Sequence, residues 1–246
     1  MKLLAPERVV LNGVCQLEVD CGRALPDAEA RWLFDFLRDL AAVGSRGGFA
    51  PSGARATAMT LERFGPSRQG VTADFDLSEI DRRFLFCLES ALIAQGMEVP
   101  VQEIRLGDGS GRFQVIDDGL SGADASVFPE LRQDLGFPYL ADGTVTSRMR
   151  STVVTLSESV NAALCDRLAE WVAPLFSLVE AGAFVMTLPY PAEARSFYSG
   201  VQQFEMDSLE IVVDRFEADD AAFEILANML AAFRSSGFPI LRVEQY

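Results

Sequence analysis

The chain has 246 residues, nearly half of them apolar, and a formal net charge of −15. So much apolar material excludes a disordered chain, and so acidic a balance argues against nucleic acid and anionic membranes, which need clustered positive charge. There is no histidine, and Lys2 is the sole lysine among 21 basic residues.

These absences remove whole classes of chemistry. Ser-His-Asp and Cys-His activation, histidine-ligated zinc, a Schiff-base lysine and a phosphate-loop lysine all lack their essential side chain. The four cysteines, Cys15, Cys21, Cys87 and Cys165, show no C-x-x-C pair or metal-ligand spacing. They read as reduced thiols, and with the apolar-poor start Met1–Arg8 they lead us to expect a cytoplasmic protein.

In chain order, Val14–Asp20 alternates and reads as a strand, and Pro26–Val43 as a helix with Trp32, Leu33, Phe36, Leu37 and Leu40 on one stripe. Thr57–Phe64 and Val71–Phe75 read as strands around the Gly65-Pro66 turn signal. Leu77–Gln95 is expected to be a helix closed by Gly96, and Val101–Leu106 a returning strand. Gly107–Gly111 could cradle a phosphate, but without a lysine it reads better as a turn into a strand at Phe113–Ile116.

The pattern then recurs: a strand at Thr152–Ser157 and a helix at Val160–Ala181, followed by strands at Val201–Met206 and Leu209–Asp214. A helix at Ala218–Ser236, closed by Gly237, and a strand at Ile240–Gln245 complete it. Trp32 and Trp171 anchor the repeat. In the same frame Leu33 falls on Val172, Phe36 on Leu175 and Leu40 on Val179. Later Phe64 falls on Phe204, Leu85 on Leu226 and Leu88 on Met229. The expected fold is therefore α+β, a tandem duplication of a ferredoxin-like βαββαβ unit, each antiparallel sheet covered on one face by helices. The expected division is a first repeat at 1–106, an irregular excursion at 107–150 and a second repeat at 151–246. Each sheet's other face is expected to be buried against its counterpart, or the two sheets to join at their edges.

The run Val172–Pro189 is apolar enough to test as a membrane span. Pro174, Gly182 and the mid-segment Glu180 oppose spanning, the carboxylate alone costing about 2.5–3.5 kcal/mol on insertion.

Carboxylates are abundant, but no pair stands out as a catalytic acid and base. Asp74 and Asp76, like Asp214, Glu217, Asp219 and Asp220, are expected at strand-to-helix junctions, where acids favour the helix dipole. Asp117 and Asp118, with Asp124 nearby, carry hard oxygens but lack calcium-loop spacing, so no metal and no cofactor is assigned. The excursion instead nominates Asp117, Asp118, Asp124, Phe137 and Tyr139 as partner-binding residues. The functional expectation is a non-catalytic binding protein with an acidic surface, of inhibitor or immunity-like character, facing a basic protein. The alternative is a small-molecule binder or carboxylate-dependent enzyme with its site between the repeats. A third reading is a homo-oligomer assembled through exposed sheet edges or faces.

Overall fold

The computed structural model describes residues 10–54, 56–95, 101–107, 128–142, 149–185, 197–214 and 218–246, and the backbone of 113–116. The N-terminal elements are β1 (Val10–Asp20), α1 (Asp27–Ser45), β2 (Ala58–Pro66), β3 (Gly70–Asp81), α2 (Phe84–Gln95), β4 (Glu103–Gly107) and β5 (Phe113–Ile116). They are followed by β6 (Tyr139–Ala141), β7 (Met149–Leu156), α3 (Ala162–Glu180), β8 (Ser199–Glu205), β9 (Ser208–Asp214), α4 (Ala221–Ser235) and β10 (Ile240–Gln245). The strands form two separate sheets, ordered β2-β3-β1-β4-β5 and β6-β10-β7-β9-β8. Neighbours are antiparallel except β6, which runs parallel to β10. The protein is thus α+β, and no helix among the described residues is long and apolar enough to cross a membrane.

β1 shows why these strands sit as they do. Cys15, Leu17 and Val19 alternate inward and are buried, while Gln16 and Glu18 alternate outward. β3 matches it with Val71, Ala73, Phe75 and Leu77 inward. The expected helix at Leu77–Gln95 is corrected at its start, because β3 runs on to Asp81 and α2 begins at Phe84. Leu77, Ile80 and Phe84 satisfy a helical spacing, but Leu77 also continues the alternation from Val71, and pairing to β1 decides between the two. The extension ends irregularly. Glu79 has φ +52° and its N–H donates to Asn12 Oδ1 at 2.9 Å, opposite a register shift beside Gly13.

The expected burial of sheet faces is also corrected. The two sheets neither stack nor share an edge; the helices lie between them and make the junction. α2 is buried all round from Phe84 to Leu92, which requires protein on both sides of it. One side meets its own sheet through Phe75 and Phe84, whose ring centroids are 6.5 Å apart. From the other side, Ser90 Oγ lies 2.9 Å and 2.7 Å from the carbonyl oxygens of Gly182 and Val185, beyond the end of α3. Arg46, capping α1, donates to the carbonyls of Glu170 and Trp171 at 2.9 and 2.8 Å and lies over the Trp171 ring.

Of the positions paired in the sequence, Phe64 and Phe204 differ, the first half-buried and the second exposed, while five other pairs match. Leu33 and Val172, Phe36 and Leu175, Leu40 and Val179, Leu85 and Leu226, and Leu88 and Met229 are all buried. Each such side chain contributes about 1.5–3 kcal/mol of burial. The two tryptophans are half-buried, Trp32 stacked on Phe36 and Trp171 on Phe233.

Candidate interaction face

Alternation in β1, β3 and β4 turns one row of side chains from each strand away from the helices. Registers Gln16↔Asp74, Val14↔Asp76, Glu18↔Arg105 and Asp20↔Glu103 place these side chains side by side on the outer face of the first sheet. Arg105 is the centre of one cluster. Its Nη1 lies 3.2 Å from Glu18 and its Nη2 3.4 Å from Asp20, and the Nε donates to Glu103 at 2.6 Å. The hydrogen bond this guanidinium donates to Glu103, and then that to Glu18, together with their charge, holds its pKa above the ordinary value against desolvation. Three carboxylates on one arginine leave the cluster negative. The adjoining row is built similarly: Asp74 accepts from Gln16 Nε2 at 3.2 Å, and Arg63 stands 3.8 Å away with its side chain mostly in solvent. Asp76 is exposed beside it.

The corresponding face of the second sheet is different in kind. Ser151, Val153, Thr155, Glu210 and Val212 line it. Its main polar device is internal: Ser151 Oγ and Gln202 Nε2 donate to the two oxygens of Glu210 at 2.5 and 2.8 Å. The strong acidic field therefore belongs to the first sheet.

Asp74 and Asp76 stand in the middle of β3, not at a strand-to-helix junction, because β3 outruns its expected end. The expectation does hold in the second set, where Asp214 ends β9 and Asp219 and Asp220 precede α4. There Asp219 Oδ1 accepts from Ala221 N at 3.0 Å, while Asp220 receives Arg150 Nη2 at 2.5 Å. Glu217 lies outside the described residues.

Of the residues nominated in the excursion, Asp117, Asp118 and Asp124 lie outside the described residues. Phe137 is buried, and Tyr139 is half-buried with its hydroxyl donating to Gln245 Oε1 at 2.6 Å. Burial, reinforced by the nearby Glu224, pushes the Tyr139 phenol up to about 12. Both residues belong to a segment, 128–142, that ties the sheets together. Arg83 Nη1 meets Glu130 at 2.9 Å, Leu131 N donates to Glu224 Oε2 at 3.1 Å, and Arg132 N donates to Asn228 Oδ1 at 2.8 Å. Asn228, fully buried, returns a bond to Glu130 O at 2.9 Å, and Phe128 packs on Phe184. The acidic face was missed as a unit in the sequence because its members are spread from Glu18 to Arg105; alternation in the strands was the available signal, and register the missing one.

At the seam between the sheets, Phe84, Ser90, Phe128, Phe184 and Asn228 are all buried. The pKa of Glu224 is raised there, first by burial and then by Asp219, Glu130 and Asp220, and its carboxylate accepts from Leu131 N–H. No group of acidic and cysteine side chains suited to a metal ion occurs among the described residues. Burial raises the Cys21 thiol to about 11, which makes it a poor nucleophile.

The chain matches no protein-family model, no curated protein and no solved structure.

Proposed function

We propose that this protein is a non-catalytic binding protein that engages a basic protein partner through the outer face of its first sheet. The observation that carries the reading is the Glu18, Asp20, Glu103 cluster on a single arginine, continued by Asp74 and Asp76 on the same face. Side chains fixed by strand pairing are a suitable platform for charge-complementary docking, because the charged groups are held in place before contact.

The architecture belongs to the same proposal. The order β2-β3-β1-β4 recurs as β8-β9-β7-β10, each with one added edge strand. We read this as a tandem duplication of a ferredoxin-like unit, with boundaries at 1–106 and 151–246 and an excursion that supplies the added strands β5 and β6.

The test is a pull-down of tagged protein from its native lysate at low and high salt, compared with a Glu18→Arg/Asp76→Arg variant. The expected result is a stoichiometric basic protein, retained at low salt, released at high salt and absent from the variant. An equally strong partner on the variant, or an empty bait, overturns the reading.

A further inference from the structure

We propose that β8 is a self-association edge, on which two copies of this chain pair their β8 strands antiparallel about a two-fold axis through Gln202. The inference is independent of the acidic face, which lies on the other sheet.

The four edge strands of the two sheets differ in their defences. β2 carries Glu62 and Arg63 at a bulge and ends in Pro66, whereas β5 and β6 have only four and three residues. β8 is also bulged, between Gln203 and Glu205, but it has seven residues, no proline, no lysine and no arginine, and only Glu205 at its end is charged. Among the described residues its sole strand neighbour is β9. An edge of this kind is a template for another strand.

The backbone is in the right phase for self-pairing. Asp214 N donates to Tyr198 O at 2.8 Å, so residues 198, 200 and 202 spend their backbone groups on β9. Val201 and Gln203 therefore turn theirs to the open edge. Val201 O also receives the Cys165 thiol at 3.5 Å, a weak contact that leaves the carbonyl's second lone pair for an amide. An axis at Gln202 sets Val201 opposite the partner's Gln203, so outward groups meet outward groups.

The side chains suit the same axis. Tyr198, Phe204 and Met206 are 55%, 54% and 81% exposed, a concentration of large apolar groups on one edge. With Gln202 on the axis, the bulged Phe204 and the adjoining Glu205 come to the Ser199-Gly200 end of the partner's strand, where an aromatic ring can lie over a strand glycine and no carboxylate opposes another. For a chain of net charge −15, a neutral edge is where a second copy approaches at least electrostatic cost.

An interface of one short strand is small, so a dimer with a dissociation constant on the order of micromolar is expected. Light scattering after size exclusion, from low to high micromolar protein, is expected to show the mass rising towards the dimer. Val201→Pro removes an edge-facing N–H that β9 does not use, and is expected to leave a folded monomer. Should that variant fail to fold, Phe204→Glu tests the same edge from its side chain. Gln202→Cys in a Cys165→Ser background is expected to form a disulfide-linked dimer on mild oxidation, since strand pairs not joined by hydrogen bonds bring Cα atoms to about 4.5 Å. Thr155→Cys, on the outer face of the same sheet, is expected not to. A wild-type mass that stays monomeric over the range, a dimer that persists in both edge variants, or equal cross-linking at positions 155 and 202 would each overturn the proposal.

Discussion

Arg83 and Asp81 form the most deeply buried ion pair described, with Arg83 Nη2 2.6 Å from Asp81 Oδ2 and Nε 3.1 Å from both carboxylate oxygens. Desolvation lowers the guanidinium's pKa, but hydrogen bonds and charge from Asp81 and Glu130 outweigh it and leave the group more firmly charged than usual. Such a pair contributes little net stability compared with a well-packed apolar pair, yet it is costly to break from one side. Arg83→Met is expected to destabilise the protein by about 3–5 kcal/mol in urea unfolding, because it leaves the buried Asp81 carboxylate without its guanidinium partner. Adding Asp81→Leu is expected to recover much of that loss; a double variant as unstable as the single one would contradict this account. Glu224 behaves in the opposite sense. Its folded-state pKa is raised above 4.5 by burial, so its contribution to stability is full below 4.5 and is lost as pH rises through the folded value. Glu224→Gln keeps an oxygen for Leu131 N–H and has no charge to desolvate. The stability of this variant relative to wild type is therefore expected to be greater at pH 7 than at pH 4 in paired urea titrations. A pH-independent difference would rule the explanation out.

At the scale of the element, the junction after α1 shows how backbone geometry admits the second set of helices. Gly47 has φ +82°, and a Cβ there would lie 2.8 Å from Ala232 Cβ on α4. The turn thus needs the left-handed conformation and the close approach at once. Gly47→Ala is expected to cost at least about 1–2 kcal/mol from the backbone alone, and to perturb the fluorescence of Trp171, whose Nε1–H donates to Met229 O on the same helix. A Gly47→Ala protein with wild-type stability and emission would refute the role given to this turn. The helix starts also differ. α3 is capped by Asn161, whose Oδ1 accepts from Leu164 N at 3.0 Å, whereas α1 begins after Pro26 with no side-chain cap. The strands were legible to the extent that alternation was unbroken. The end of β3 was not legible, because strand and helix spacings coincide from Leu77 to Phe84 and only pairing with β1 resolves them.

Over the whole molecule, charge and packing are segregated. The helices fill the space between the sheets, and carboxylates crowd the outer face of the first sheet against the neighbour Arg105 and the exposed Arg63. Repulsion among those acids opposes compactness and is screened by salt with a range of about 10 Å at 0.1 M. The melting temperature is expected to rise between 10 and 150 mM sodium chloride by a few degrees, roughly the shift from 1 kcal/mol in a chain of this size. A melting temperature that falls over that range would show that attractive ion pairs, not repulsion, dominate the surface.

Composition and periodicity alone determined that the chain is α+β, that the order of its strands and helices repeats, and that its chemistry has no histidine and a single lysine to draw on. These follow from residue type and short-range spacing, which tertiary contacts rarely reverse over long, regular segments. Only the tertiary structure decided that the helices face each other, that 128–142 ties the halves together, and that five distant carboxylates share one face. Those outcomes depend on strand register and on which surface each layer buries, and both are set by contacts between residues far apart in the chain.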